Sequence, residues 1–151
     1  MAKQTHSRPT RRQLSLFLPE AQRLPVEQIR RRLDPIQQAL IPAHVTLCRD
    51  DELHDLQQLT LRLERLEPFL ITMRFEEPQE LPDGCVLLRP SSGTEKFQAL
   101  RHSILGNSAR VYGAHLTLLH PRNATGVHHN LAEMTREIAG LVVTFNTVSL
   151  T

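Results

Sequence analysis

The chain has 151 residues, 40% hydrophobic and 23% charged, the composition of a globular chain of ordinary single-domain size. Its formal net charge of +2 is uneven: Lys3, Arg8, Arg11 and Arg12 fall in the first twelve residues, which hold no acid, and the rest counts 14 basic against 16 acidic residues. A body of net −2 excludes a chain-wide footprint for duplex nucleic acid, and residues 1–12 read as a basic, disordered tail.

Two cysteines, Cys48 and Cys85, with no CxxC spacing, suit a reducing cytoplasm and argue against a structural zinc site. The apolar run Leu14–Leu18 stops at Pro19, too short for the core of a signal peptide. No run approaches the length of a membrane span.

Leu14, Leu16 and Leu18 alternate with Ser15 and Phe17 and predict a first strand. Pro25 opens a predicted helix with Val26, Ile29, Leu33, Ile36 and Leu40 on one face. Asp34-Pro35 either kinks it or starts a second short helix. A strand at His44 follows. Asp50 or Asp51 is expected to cap a helix with Leu53, Leu56, Leu63 and Leu66 on its face, stopped by Pro68. Phe69, Ile71, Met73 and Phe75 then alternate with Thr72 and Arg74 as a strand.

Pro78 to Gly84 reads as a turn-rich connection, and Cys85 to Leu88 as a short buried strand. Ser92 or Thr94 caps a helix with Phe97, Leu100 and Ile104 inward, ended by Gly106. After a loop comes a strand at His115. Val127, Leu131, Met134 and Ile138 make a last helix closed by Gly140, and Leu141 to Leu150 a final strand.

Two of these strands carry the same pattern. Ala43-His44-Val45-Thr46-Leu47 and Ala114-His115-Leu116-Thr117-Leu118 each place a histidine and a threonine on one strand face and apolar residues on the other. The motifs are 71 residues apart. The same offset carries the strand near 14 to 85, the helix near 26 to 97, the helix near 53 to 124 and the strand near 70 to 141. Each half, about 13–77 and 84–150, therefore reads strand, helix, His-strand, helix, strand. This predicts an α+β architecture of two pseudo-symmetric lobes, each a mainly antiparallel sheet with helices on its outer face. The His-x-Thr strands would face a central cleft.

Two imidazoles on one cleft suit acid–base chemistry near neutral pH, one neutral and one protonated. Opening a cyclic phosphodiester needs both forms at once, and Thr46 and Thr117 offer hydroxyl donors to the charge that develops on phosphorus. A zinc reading would draw on His120, His128 and His129 after His115, but the adjacent pair would point apart. His6, His54 and His102 read as surface residues, and Cys48 as a small buried hydrophobe.

The paired His44-Val45-Thr46-Leu47 and His115-Leu116-Thr117-Leu118 motifs resemble those of the 2H phosphoesterases, the group that includes bacterial 2'-5' RNA ligases and cyclic nucleotide phosphodiesterases. The resemblance runs from about Leu14 to about Leu150 and implies a single domain over residues 13–151. It implies catalytic roles for His44 and His115 and phosphate-binding roles for Thr46 and Thr117. It also implies a reaction without cofactor or metal, in a monomer acting on RNA ends or small nucleotides that carry a 2',3'-cyclic phosphate, with no membrane partner. Ligation through a 2'-5' linkage is the reverse reaction at the same site, and a non-catalytic RNA- or nucleotide-binding module is the alternative of another class. Arg122, Tyr112 and Phe17 are further substrate-binding candidates, Arg122 for phosphate or ribose and the two rings for stacking.

Overall fold

The computed structural model describes residues 12–126 and 129–151. The tail residues Lys3, His6, Arg8 and Arg11, together with Val127 and His128, lie outside the described residues. The chain order is β1 (Leu14–Phe17), α1 (Glu20–Leu33), α2 (Pro35–Leu40), β2 (His44–Cys48), α3 (Leu56–Glu64), β3 (Ile71–Arg74) and β4 (Gln79–Glu80). There follow β5 (Val86–Leu88), α4 (Thr94–Leu105), β6 (Leu116–Leu119), α5 (Leu131–Ile138), β7 (Val142–Phe145) and β8 (Ser149–Leu150).

The α+β character and the antiparallel pairing are as expected. The distribution of strands between the halves is not. One six-stranded sheet has the order β4-β5-β6-β2-β1-β8, and β3 pairs with β7 in a separate ribbon. The halves thus exchange strands: β4 of the first half edges β5 of the second, and β8 of the second edges β1 of the first. At the centre of the large sheet the two His-strands, β2 and β6, are joined by the pair Val45–Leu116. Those two residues are themselves related by the 71-residue offset, so a pseudo-twofold axis passes between them. The ribbon obeys the same axis, since the pair Ile71–Phe145 shifts onto the pair Arg74–Val142, which is also formed.

Several boundaries differ from the sequence reading. α1 begins at Glu20, and Pro25 lies inside it. The entry is made by Pro19, whose carbonyl accepts from the backbone N–H groups of Gln22 and Arg23. Asp34 does start a second helix, accepting from the Gln37 N–H at 3.0 Å with Pro35 in the first turn. The new axis turns Ile36 and Leu40 out to solvent rather than along the α1 face. α3 is capped by Asp55, not by Asp50 or Asp51, which lie in a 3₁₀ turn, and its buried residue is Leu59. The stretch 141–150 is two strands in two sheets, and the connection 78–84 contains β4.

Helices of each half pack against the other half's His-strand, α1 on β6 and α4 on β2. Val26, Ile29, Phe97, Leu100 and Ile104 join Val45, Leu47, Leu116 and Leu118 in one apolar core. Gly93, which precedes α4, has φ +82°, and a Cβ there would stand 2.4 Å from the Thr72 carbonyl oxygen, so glycine is required.

Candidate active site

Burial along the two motifs is the same residue by residue. Ala43, Val45, Leu47 and Cys48 are buried while His44 and Thr46 are half-buried, and Ala114, Leu116, Leu118 and Leu119 are buried while His115 and Thr117 are half-buried. The alternation of a strand puts each histidine and threonine on the face away from the helices. The antiparallel register that pairs Val45 with Leu116 sets His44 toward Thr117 and Thr46 toward His115. Each histidine therefore meets the threonine of the other half.

The imidazoles are held alike. His44 Nδ1 lies 2.8 Å from the Pro42 carbonyl oxygen, and His115 Nδ1 lies 3.2 Å from that of Gly113. Pro42 and Gly113 are again 71 residues apart. A proton on Nδ1 is donated to the carbonyl, which leaves Nε2 of both rings as the reactive nitrogen. Burial pushes both histidines below the ordinary imidazole pKa, partly opposed by these carbonyls. The charge of His115 also lowers His44, so the two feel each other across the seam.

Around this core the halves differ. Phe17 sits opposite His44 on β1 with ring centroids 5.7 Å apart. The Gln13 amide nitrogen is 3.3 Å from His44 Nε2 and donates to Ser15 Oγ at 3.0 Å. On the other side the Tyr112 ring lies 5.9 Å from His115, and its hydroxyl is close enough to Thr46 for that side chain to favour the phenolate. Tyr112 rests on the guanidinium of Arg101, 4.8 Å from the ring centroid. Arg101 is fully buried; it pairs with Glu52 at 2.7 and 3.0 Å and donates to the carbonyls of Leu47 and Arg110.

Of the seven residues singled out in the sequence, the structure gathers six: His44, Thr117 and Phe17 at one end, His115, Thr46 and Tyr112 at the other. Arg122 is turned elsewhere, its guanidinium 3.1 Å from Gln37 Oε1 at the start of α2. Gln13 and Arg101 also adjoin the two ends without any motif to mark them, though the 71-residue offset relates Arg101 to Arg30. Cys48 is buried and its thiol is pushed up to about 12 by burial, so it stays protonated. Among the described residues no group of three or more His, Cys, Asp or Glu side chains is arranged to hold a metal ion. No described helix is long and apolar enough to cross a membrane. A separate groove of about 670 Å³, lined by Arg62, Leu66, Phe69, Leu70, Lys96 and Leu100 among others, contains neither histidine.

Fold and register together define an internally duplicated, antiparallel α+β protein with one His-x-Thr strand from each half at its centre. Solved structures share that fold. The chain is similar to E. coli LigT complexed with phosphate, with a TM-score of 0.59 and 16% identity over 93% of this chain and 84% of that one. It is similar also to E. coli LigT complexed with NADP+, with a TM-score of 0.54 and 18% identity over 93% of this chain and 85% of that one. At these identities the likeness is one of fold. No family model and no curated protein matches the chain.

Proposed function

We propose that residues 13–151 form a 2H-type phosphodiesterase that opens 2',3'-cyclic phosphates on RNA ends or nucleotides without a metal. The observation that carries the reading is the crossed arrangement, His44 toward Thr117 and Thr46 toward His115, with both Nδ1 atoms tied to carbonyls. One neutral imidazole takes a proton from water at Nε2 as the water oxygen bonds to phosphorus. The other, protonated, delivers a proton to the ribose oxygen as its bond to phosphorus breaks. The product is a phosphate monoester, and both histidines have exchanged protonation states. Thr46 and Thr117 donate to the non-bridging oxygens, whose charge grows in the transition state. The likeness to LigT complexed with phosphate supports a phosphate-handling site. The LigT fold also supports joining of RNA ends through a 2'-5' linkage at the same site, the 5'-hydroxyl of a second RNA end taking the place of water and bonding to phosphorus as the bond to the 3'-oxygen breaks.

The test is turnover of a nucleoside 2',3'-cyclic phosphate in excess chelator. His44→Ala and His115→Ala each lower it by about 10²–10⁴-fold, the range for general acid–base groups. Near-wild-type rates in both variants would show that this is not the active site and would favour a binding module. Activity lost to chelator and restored by zinc or manganese would make the histidines ligands.

A further inference from the structure

The two ends of the histidine face differ in charge. At the His44 end the nearest side chains are those of Phe17, Gln13 and Ser15, and the charges acting there, Arg30 and Glu27, oppose each other. At the His115 end two exposed arginines converge. Arg49 follows β2 and its guanidinium lies 6.0 Å from the centroid of the Tyr112 ring, which itself stands 5.9 Å from His115. Arg89 follows β5 two residues after Leu87, the strand partner of Thr117, so alternation turns Arg89 to the histidine face. Among the described residues neither arginine forms an ion pair; Asp51, the acid near Arg49, is engaged by Arg110 at 2.6 Å. Both cations act on His115 with no carboxylate opposing them there, whereas His44 has Glu27 against Arg30.

These arginines stand outside the duplication. The positions 71 residues from Arg49 and Arg89 are His120 and Leu18. The repeated frame supplies the histidines and threonines twice; the cations are supplied once, at one end. Two guanidiniums without an ion pair among the described residues leave an excess of positive charge beside His115 until an anion joins them.

We propose that Arg49 and Arg89 bind a second phosphate of the substrate, at the His115 end beside the reacting one. This rests on the proposed function and narrows it: the substrate class is a cyclic phosphate carrying a further phosphate, rather than a bare nucleoside 2',3'-cyclic phosphate. Guanidiniums suit that group by their paired donors. Its charge also offsets theirs, so the second phosphate raises kcat/KM. The second phosphate is either internucleotide or a 5'-terminal monoester, and both present the same oxygens.

Three substrates separate these cases: a nucleoside 2',3'-cyclic phosphate, its 5'-phosphorylated form, and a dinucleotide ending in the cyclic phosphate. The phosphate-bearing substrates are expected to exceed the bare one by about tenfold or more in kcat/KM, one charge-assisted contact being worth that much. Equal gains for both indicate the shared phosphate chemistry, and a gain for the dinucleotide alone indicates an internucleotide phosphate. In Arg49→Gln and Arg89→Gln the preference shrinks, and kcat/KM of the phosphate-bearing substrates depends less on salt. Equal kcat/KM for all three substrates, or a preference that both variants leave unmoved, overturns the proposal. Titration with unreactive ligands reads the site without turnover. Tighter binding of a nucleoside 3',5'-bisphosphate than of a 3'-monophosphate, lost in the two variants, supports the second site even if no cyclic phosphate is hydrolysed. Equal affinity overturns it even if hydrolysis is fast.

Discussion

Arg30 and Arg101 stand 71 residues apart, both are buried, and each donates at 2.9 Å to a carbonyl just ahead of a His-x-Thr strand, Ile41 for one and Arg110 for the other. Each lies on the first helix of its half. Arg30 is paired with Glu27 one turn away in α1, whereas Arg101 reaches Glu52 in a distant turn. The duplication therefore includes an interior cation that tethers the approach to each histidine. It has been elaborated on one side, where Arg101 also supports Tyr112.

Replacing Arg101 with Met leaves Glu52 buried without its partner. Breaking such a pair costs about 3–5 kcal/mol. Burial works to raise the Glu52 pKa, but the Arg101 hydrogen bonds outweigh it and hold the carboxyl below its usual range. A depressed folded pKa stabilises the native state above the unfolded value and is lost as pH falls through the folded one. In Arg101→Met the lone carboxylate is relieved by protonation instead. Urea titrations should therefore show the gap between wild type and variant narrowing on acidification below about pH 5. A gap that widens on acidification would contradict this assignment of the pair.

Tyr112→Phe keeps the ring over Arg101 and removes the hydroxyl near Thr46. A single hydrogen bond between such groups contributes about 1 kcal/mol. The expected result is a fall of roughly fivefold in kcat with little change in Tm, because Thr46 is no longer held for the phosphate. An unchanged kcat would leave Tyr112 a packing residue.

Both histidines lie below the ordinary imidazole value. The base limb and the acid limb of kcat/KM, which reports the free enzyme, should then both fall on the acid side of pH ~6.5, and the rate should decline through neutrality as the acid histidine loses its proton. Removing one histidine should erase one limb. A profile centred above pH 7 would count against this environment.

Asp34 is buried, caps α2, accepts from the His120 N–H at 2.9 Å and holds the Asn123 amide at 2.9 Å. Asp34→Ala removes a cap and orphans a donor in the turn after β6. The loss should be about 2–4 kcal/mol by denaturant unfolding. Asp34→Asn, which keeps an acceptor oxygen, should cost clearly less.

The local features were legible in the sequence because they are written in alternation and spacing. The faces of Ala43–Leu47 and Ala114–Leu118, the Asp34-Pro35 start of α2 and the offset between halves all rest on neighbours along the chain. Partnership across the sheet does not. Alternation says which face Leu150 or Gln79 presents, not that β8 adds to β1 or β4 to β5. Leu141–Leu150 reads as one strand because Asn146-Thr147 carries neither proline nor glycine to mark the break. Arg101 looks like any polar helix position until its carboxylate, 49 residues away, is in place. Gln13 reached the histidine only through the pairing of β1 with β2.

The exchange of edge strands has a consequence for how such a molecule is assembled and how it can be divided. Neither half owns a finished sheet: the outer edge of β1 stays open without β8, that of β5 without β4, and β3 and β7 pair with each other across the halves. A chain cut in the exposed turn at Pro82-Asp83 should yield two fragments that stay unstructured alone and regain the fold when mixed. The hydrogen bonds that finish each half are made by the other.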